Sequence, residues 1–148
     1  MSGEKNNLFL DISSAYEQND SSKLKALYVL CDLVESYEYK DENIEGINEI
    51  LDFLFSKLII EKKNEIIRRI SDAINLIFMY QDIRDFDFKS TIQYLERLDD
   101  YSLSNILEVL GYSRDKDFLG LLEKYKSHKS IDVREAAYMA IDFLKNTD

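Results

Sequence analysis

The sequence predicts an all-α fold, an α–α superhelix of about four helical hairpins and about eight helices, in one domain over residues 1–148. Three observations carry that prediction. The chain has no proline and only four glycines in 148 residues, so the turn chemistry that short-stranded folds need is missing. Apolar residues recur at the helical period of about 3.6 through most of its length. The apolar positions of the last helix also reappear upstream at regular shifts, as repeated helical hairpins require.

Composition narrows the function classes. At 45% hydrophobic and 32% charged residues the chain is globular and long enough to bury a core. Nineteen basic against twenty-nine acidic residues give a net charge of -10, which repels phosphate backbones and argues against direct nucleic-acid binding. The same charge speeds association with a basic partner, and it also serves plain solubility. Cys31, the only cysteine, excludes an internal disulfide, and its YVLCDLV surroundings suit a packed small hydrophobe in a reducing cytosol. The first eighteen residues lack a basic region followed by a long apolar core, and no run approaches the roughly 18 apolar residues of a membrane span. A cytoplasmic location without membrane contact is therefore expected.

In chain order, Leu8, Ile12 and Tyr16 mark a first helix over about residues 5–18, closed by the NDSS run. Ser21 or Ser22 is the expected cap of a second helix with Leu24, Leu27, Leu30, Cys31 and Val34 on one face. Asp41 or Asn43 is expected to cap a third helix running through Ile44, Ile47, Ile50, Leu51, Leu54, Leu58 and Ile59. Asn64 is the expected cap of a fourth, with Ile66, Ile67, Ile70, Ala73, Ile74 and Ile77 inward and Glu65, Arg68, Arg69 and Asp72 outward. Residues 80–88 lack a period and read as a connector with room for one helical turn. A fifth helix is expected over about residues 89–98, and a sixth from about Tyr101 to Leu110, ended by Gly111 as its C′ residue. Asp115 or Lys116 starts a seventh with Phe118, Leu121, Leu122 and Tyr125 as its stripe, and an eighth covers about residues 130–144.

The second helices of the four hairpins superpose on one another. A shift of 34 carries Leu144, Ile141, Ala140 and Ala137 onto Leu110, Leu107, Ile106 and Leu103. Further shifts of 33 and 43 land on Ile77, Ile74, Ala73 and Ile70, then on Val34, Cys31, Leu30 and Leu27. Every position stays apolar, and such spacings suit helical-hairpin solenoids. Over residues 107–144 the order of Leu110-Gly111, Asp115, Leu121-Leu122, Val133-Arg134, Ala136-Ala137 and Ala140-Ile141 resembles a HEAT repeat. The upstream copies are degenerate, with no proline in the first helices and no clear Val-Arg pair. The resemblance implies close helix approach at Ala137 and Ala140, and an Arg134 that bridges to an acidic residue, with Asp132 and Asp115 as candidates.

Catalytic signatures are missing: there is no glycine-rich phosphate loop, paired-cysteine zinc site, HExxH or nucleophile elbow. His128, the one histidine, reads as a solvated residue of the turn before the last helix. The acidic runs at residues 41–45 and 82–87 lack the alternating oxygen-ligand spacing of a calcium loop. No catalytic, cofactor or metal site is expected. The HEAT resemblance implies instead that second helices line a binding face. On the eighth helix Glu135, Tyr138 and Asp142 lie opposite the core, and the same shifts give Tyr101, Ser104 and Glu108, then Arg68, Ser71 and Asn75, then Lys25, Tyr28 and Asp32. Asp32, Asn75, Glu108 and Asp142 are expected to form a ladder with the tyrosines beside it, a composition suited to docking a basic protein. The style of the chain is similar to HEAT-like bacterial immunity proteins encoded beside contact-dependent growth-inhibition toxins. That likeness implies a non-enzymatic module that neutralises a basic toxin domain. The alternatives are a scaffold or regulatory adaptor that binds a peptide or helical partner, and, further off, a HEAT-like lyase or DNA glycosylase.

Overall fold

A computed structural model of the chain describes residues 7–147, and the chain folds all-α, with every regular element among the described residues helical. It divides into two compact units at the Ile83–Arg84 peptide. No described helix is long and apolar enough to cross a membrane.

The first unit holds α1 (Asn7–Ala15), α2 (Asp20–Glu35), α3 (Ile47–Ile60) and α4 (Asn64–Tyr80). Residues 5 and 6 of the predicted first helix lie outside the described residues. Helix α2 begins earlier than its predicted caps, because the Asn19 side chain accepts the Ser22 N–H at 2.8 Å. Ser22 thus donates to the cap and is not the cap itself. Leu27, Leu30 and Val34 of the predicted α2 face are fully buried, whereas Leu24 and Cys31 are only partly so.

Helix α3 begins only at Ile47. Asn43 has a different task from the predicted cap: its amide exchanges two hydrogen bonds with the backbone of Asp82, at 2.9 and 2.8 Å. The N–H of Ile44 donates to the side-chain oxygen of the buried Gln81 at 2.6 Å. These bonds tie the α2–α3 connector to the end of α4. Gly46 then turns the chain at φ 79°, a left-handed conformation that costs little without a Cβ. In α4, Asn64 is the first helical residue rather than the cap, and Lys63 precedes it without a side-chain cap bond. The inward row Ile66, Ile67, Ile70, Ala73, Ile74 and Ile77 is buried. Helix α4 packs against both α2 and α3, and α1 packs against α2 and α3.

The second unit follows the non-helical connector 81–88. Its α5 (Lys89–Ile92) is a single turn, followed by a separate 3-10 turn at Leu95–Arg97. The predicted fifth helix is broken between them, where Tyr94 leaves helical geometry at φ -108°, ψ 2°. Isolated runs this short do not propagate, and burial of Thr91 and Leu95 holds each turn in place. Helix α6 (Asp100–Tyr112) is capped by Asp99, which accepts the Ser102 N–H at 2.9 Å. A 3-10 turn at Lys116–Phe118, capped by Asp115, leads into α7 (Leu119–Tyr125). Ser130 caps α8 (Ile131–Lys145) through the Val133 N–H. Helix α8 packs on α6 and on α7.

Gly111 departs from its predicted role. It lies inside α6 without a positive φ, buried against α8, where a Cβ would stand 2.8 Å from the Cα of Ala140. The missing side chain lets two backbones meet and does not terminate the helix.

Candidate functional site

The outward face of α8 is the least ordinary surface of the second unit. Ile131, Glu135, Tyr138, Met139, Asp142 and Phe143 are all exposed, and their spacings of three, four and seven place them on one side of the helix. Four of the six are large and apolar, with exposures of 59% for Ile131, 54% for Tyr138, 57% for Met139 and 51% for Phe143. Single exposed apolar residues are normal, whereas here four fall on one side of one helix. The opposite face is fully used: Val133, Ala136, Ala137, Ala140, Ile141 and Leu144 are buried. Helix α8 therefore has more apolar residues than its core contact can absorb.

Beside the stripe runs a shallow dent of about 20 Å³, floored by Gly111 and Ala140 and walled by Tyr112, Met139 and Phe143, with Glu108 at its rim. The Tyr112 and Phe143 rings meet edge to face at 5.2 Å, which fixes the wall. Glu108 is half-buried, and Tyr101 is exposed on the same helix α6.

Lys126 lies over the Tyr138 ring at 5.1 Å and is held by Glu123 at 3.1 Å. In the first unit, exposed Tyr28 and Asp32 share a face of α2, and Arg69 lies over the Tyr28 ring at 5.9 Å while pairing with Asp72 at 2.9 Å. Arg68 is exposed on α4.

Asn75 lies elsewhere than predicted: it is buried at 5% exposure, and Ser71 one turn earlier is wholly buried. Because α4 packs on both α2 and α3, its buried arc is wider than a single stripe, and the Ser71 hydroxyl is satisfied by donating to the Arg68 carbonyl at 2.8 Å. Asn75 is therefore not on the outward face where the predicted ladder needs it.

Ile131, Met139 and Phe143 escaped the sequence reading, although a signal for them exists. A helix that carries apolar residues on both arcs has a second face to fill.

The turn before α8 is a structural knot. The Arg134 guanidinium donates to the carbonyls of His128 and Lys129 at 2.7 and 3.1 Å, so its partners are backbone oxygens and not the expected carboxylates. His128 is partly buried: its Nδ1 accepts the Ser130 N–H at 3.0 Å, and its Nε2 stands 4.0 Å from Asp100. Burial pushes the Cys31 thiol up to about 12, with the charge of Asp72 acting the same way, so this sulfur is held neutral and unreactive. An open depression of about 350 Å³ over residues 43–49 presents Glu45 and Glu49 but no histidine, cysteine or lysine. Among the described residues, no three metal-ligating side chains converge.

Comparison of the chain with protein-family models, with curated proteins and with solved structures returns no match.

Proposed function

We propose that the chain is a non-enzymatic, HEAT-like binding module of the bacterial cytoplasm, an immunity protein that docks on a cognate basic toxin domain and neutralises it. The observation that carries this reading is the α8 stripe, in which Tyr138, Met139 and Phe143 stand exposed around the carboxylates of Glu135 and Asp142. Exposed aromatic and thioether side chains supply contact area, and flanking carboxylates select a cationic partner. The net charge of -10 steers such a partner at long range.

Co-expression and pull-down with the product of the adjacent gene tests the proposal. A complex whose association slows steeply with ionic strength is expected. No complex with any neighbouring gene product at low salt sinks it. In that complex, reversing charge at Glu108 and Asp142 together is expected to weaken binding by roughly tenfold or more without unfolding the protein. Wild-type affinity in the double variant moves the interface off this face.

A further inference from the structure

The α8 stripe has a counterpart in the other unit. A shift of 110 residues, from Tyr138-Met139-Ala140-Ile141-Asp142, lands on Tyr28-Val29-Leu30-Cys31-Asp32 of α2. The correspondence extends to exposure. Tyr28 and Val29 are 51% and 55% exposed, like Tyr138 and Met139, while Leu30 and Ala140 are buried in both copies. Asp32 and Asp142 are exposed, and neither forms an ion pair with a described residue. In each copy the tyrosine ring is covered by a cation, Arg69 or Lys126, that is itself held by a carboxylate three residues away on its own segment. The nearby cation is thus already engaged, and each aspartate keeps its charge for another one, although Asp142 also accepts the Asn146 amide at 3.2 Å.

The two intervening second helices lack this arrangement. In α4 the matching positions are Ser71, Asp72 and Asn75, of which the first and last are buried, and in α6 they are Ser104, Asn105 and Glu108.

We propose that Tyr28, Val29 and Asp32 on α2, and Tyr138, Met139 and Asp142 on α8, are two equivalent docking elements, each of which takes a partner segment that sets an apolar side chain beside a lysine or arginine. This inference rests on the docking role of α8 and extends it to two sites per chain. Each element matches the occupant group by group: the exposed Val or Met receives the apolar side chain and the aspartate one turn on pairs with the cation. Charge disfavours a second copy of the chain as occupant, because pairing one element with another sets aspartate against aspartate between two molecules of net charge -10.

The test is calorimetric titration of the full chain with a synthetic peptide that presents leucine between lysines, with a control peptide carrying glutamates in place of the lysines. Two lysine peptides per chain are expected, one per chain for Asp32→Lys or Asp142→Lys alone, and none for the double variant. All three variants change exposed residues and are expected to melt like wild type. A single site that is lost with Asp142→Lys and indifferent to Asp32→Lys overturns the duplication and leaves the α8 docking role standing. Equal binding of the glutamate peptide, two sites surviving the double variant, or no binding of the lysine peptide overturns both.

Discussion

In the first unit α2 and α4 meet mainly through large aliphatic side chains: α2 buries Leu27, Leu30 and Val34, and α4 buries Ile66, Ile70, Ile74 and Ile77. In the second unit α8 sets Ala136, Ala137 and Ala140 among Val133, Ile141 and Leu144, and α6 brings Gly111 to backbone contact distance from Ala140 beside the buried Leu103, Leu107 and Leu110. The second seam thus contains a point of backbone contact that a side chain would block. A 3.6 period determines which residues turn inward, whereas their size determines how near the helices come, and so which substitutions each seam tolerates. Charge divides as unevenly as bulk. Residues 1–83 contain sixteen acidic and nine basic side chains, residues 84–148 thirteen and ten, so most of the steering charge belongs to the first unit while the broad apolar stripe belongs to α8 of the second.

The contrast breaks most visibly at its centres. Ile70→Ala empties a fully buried site in the first unit and is expected to cost about 2–5 kcal/mol, the sum of lost transfer energy and a cavity, measured by chemical denaturation. A loss below about 1 kcal/mol shows that the α2–α4 seam collapses to fill the space. Gly111→Ala does the reverse in the second unit. Its new Cβ meets the Cα of Ala140 at 2.8 Å and the Cβ of Ala140 at 3.0 Å, and only movement of the backbones relieves that contact. Overpacking costs roughly 1–3 kcal/mol against a helix-propensity gain of about 1 kcal/mol, so net destabilisation is expected. A Gly111→Ala protein more stable than wild type removes the close approach from the account of the second unit.

Alkaline pH acts on the first unit through two acids. Cys31 and Tyr16 both belong to the first unit, and burial raises both acids above their ordinary values, that of Cys31 from 9.0 to about 12. The neutral thiol is therefore favoured by folding. That contribution is complete below the unfolded value of 9.0 and is lost as pH rises from there through about 12. Stability is expected to fall over that window, and Cys31→Ala is expected to flatten the fall, read from urea midpoints at several pH values. An unchanged slope assigns the alkaline loss to other groups.

Much of the fold was legible because most helices obey a single period: α4 and α8 bury the residues the pattern selects, and α2 buries Leu27, Leu30 and Val34 while Leu24 and Cys31 at the edge of its stripe stay partly exposed. What stayed hidden depends on contacts rather than on sequence spacing. The NDSS run offers several cap candidates, and only the geometry that places Asn19 against the Ser22 N–H chooses among them. Asn43 looks like a helix cap until Asp82 is brought beside it by tertiary structure. Asn75 reads as outward on a helix with one buried face, but α4 has two neighbours. On the candidate site, Tyr138 and Asp142 were reachable from the predicted repeat register, whereas Met139 and Phe143 were not, because apolar residues of a helix are assigned to the core by default and α8 already fills its core face with Val133, Ala136, Ala137, Ala140, Ile141 and Leu144.

Ser102 is a smaller lever on the second unit. Its hydroxyl is fully buried on α6 with no hydrogen-bond partner among the described residues, so Ser102→Ala removes an unsatisfied group and installs a better helix former. A gain of about 1 kcal/mol is expected, and a loss instead points to a partner that the hydroxyl finds in solution.

The smallest effect is the sharpest control on the Gly111 argument. Gly120 is also helical, at the second position of α7, but a Cβ there meets nothing within 4 Å. Gly120→Ala therefore keeps the backbone-entropy benefit of alanine and pays no steric penalty, and a gain of about 0.5 kcal/mol is expected in the same denaturation assay. The two glycines share residue type, helical backbone and unit, and differ only in what lies beside them. Opposite signs for the two substitutions isolate the approach of α8 to α6 as the cause, and equal signs attribute both results to helix propensity.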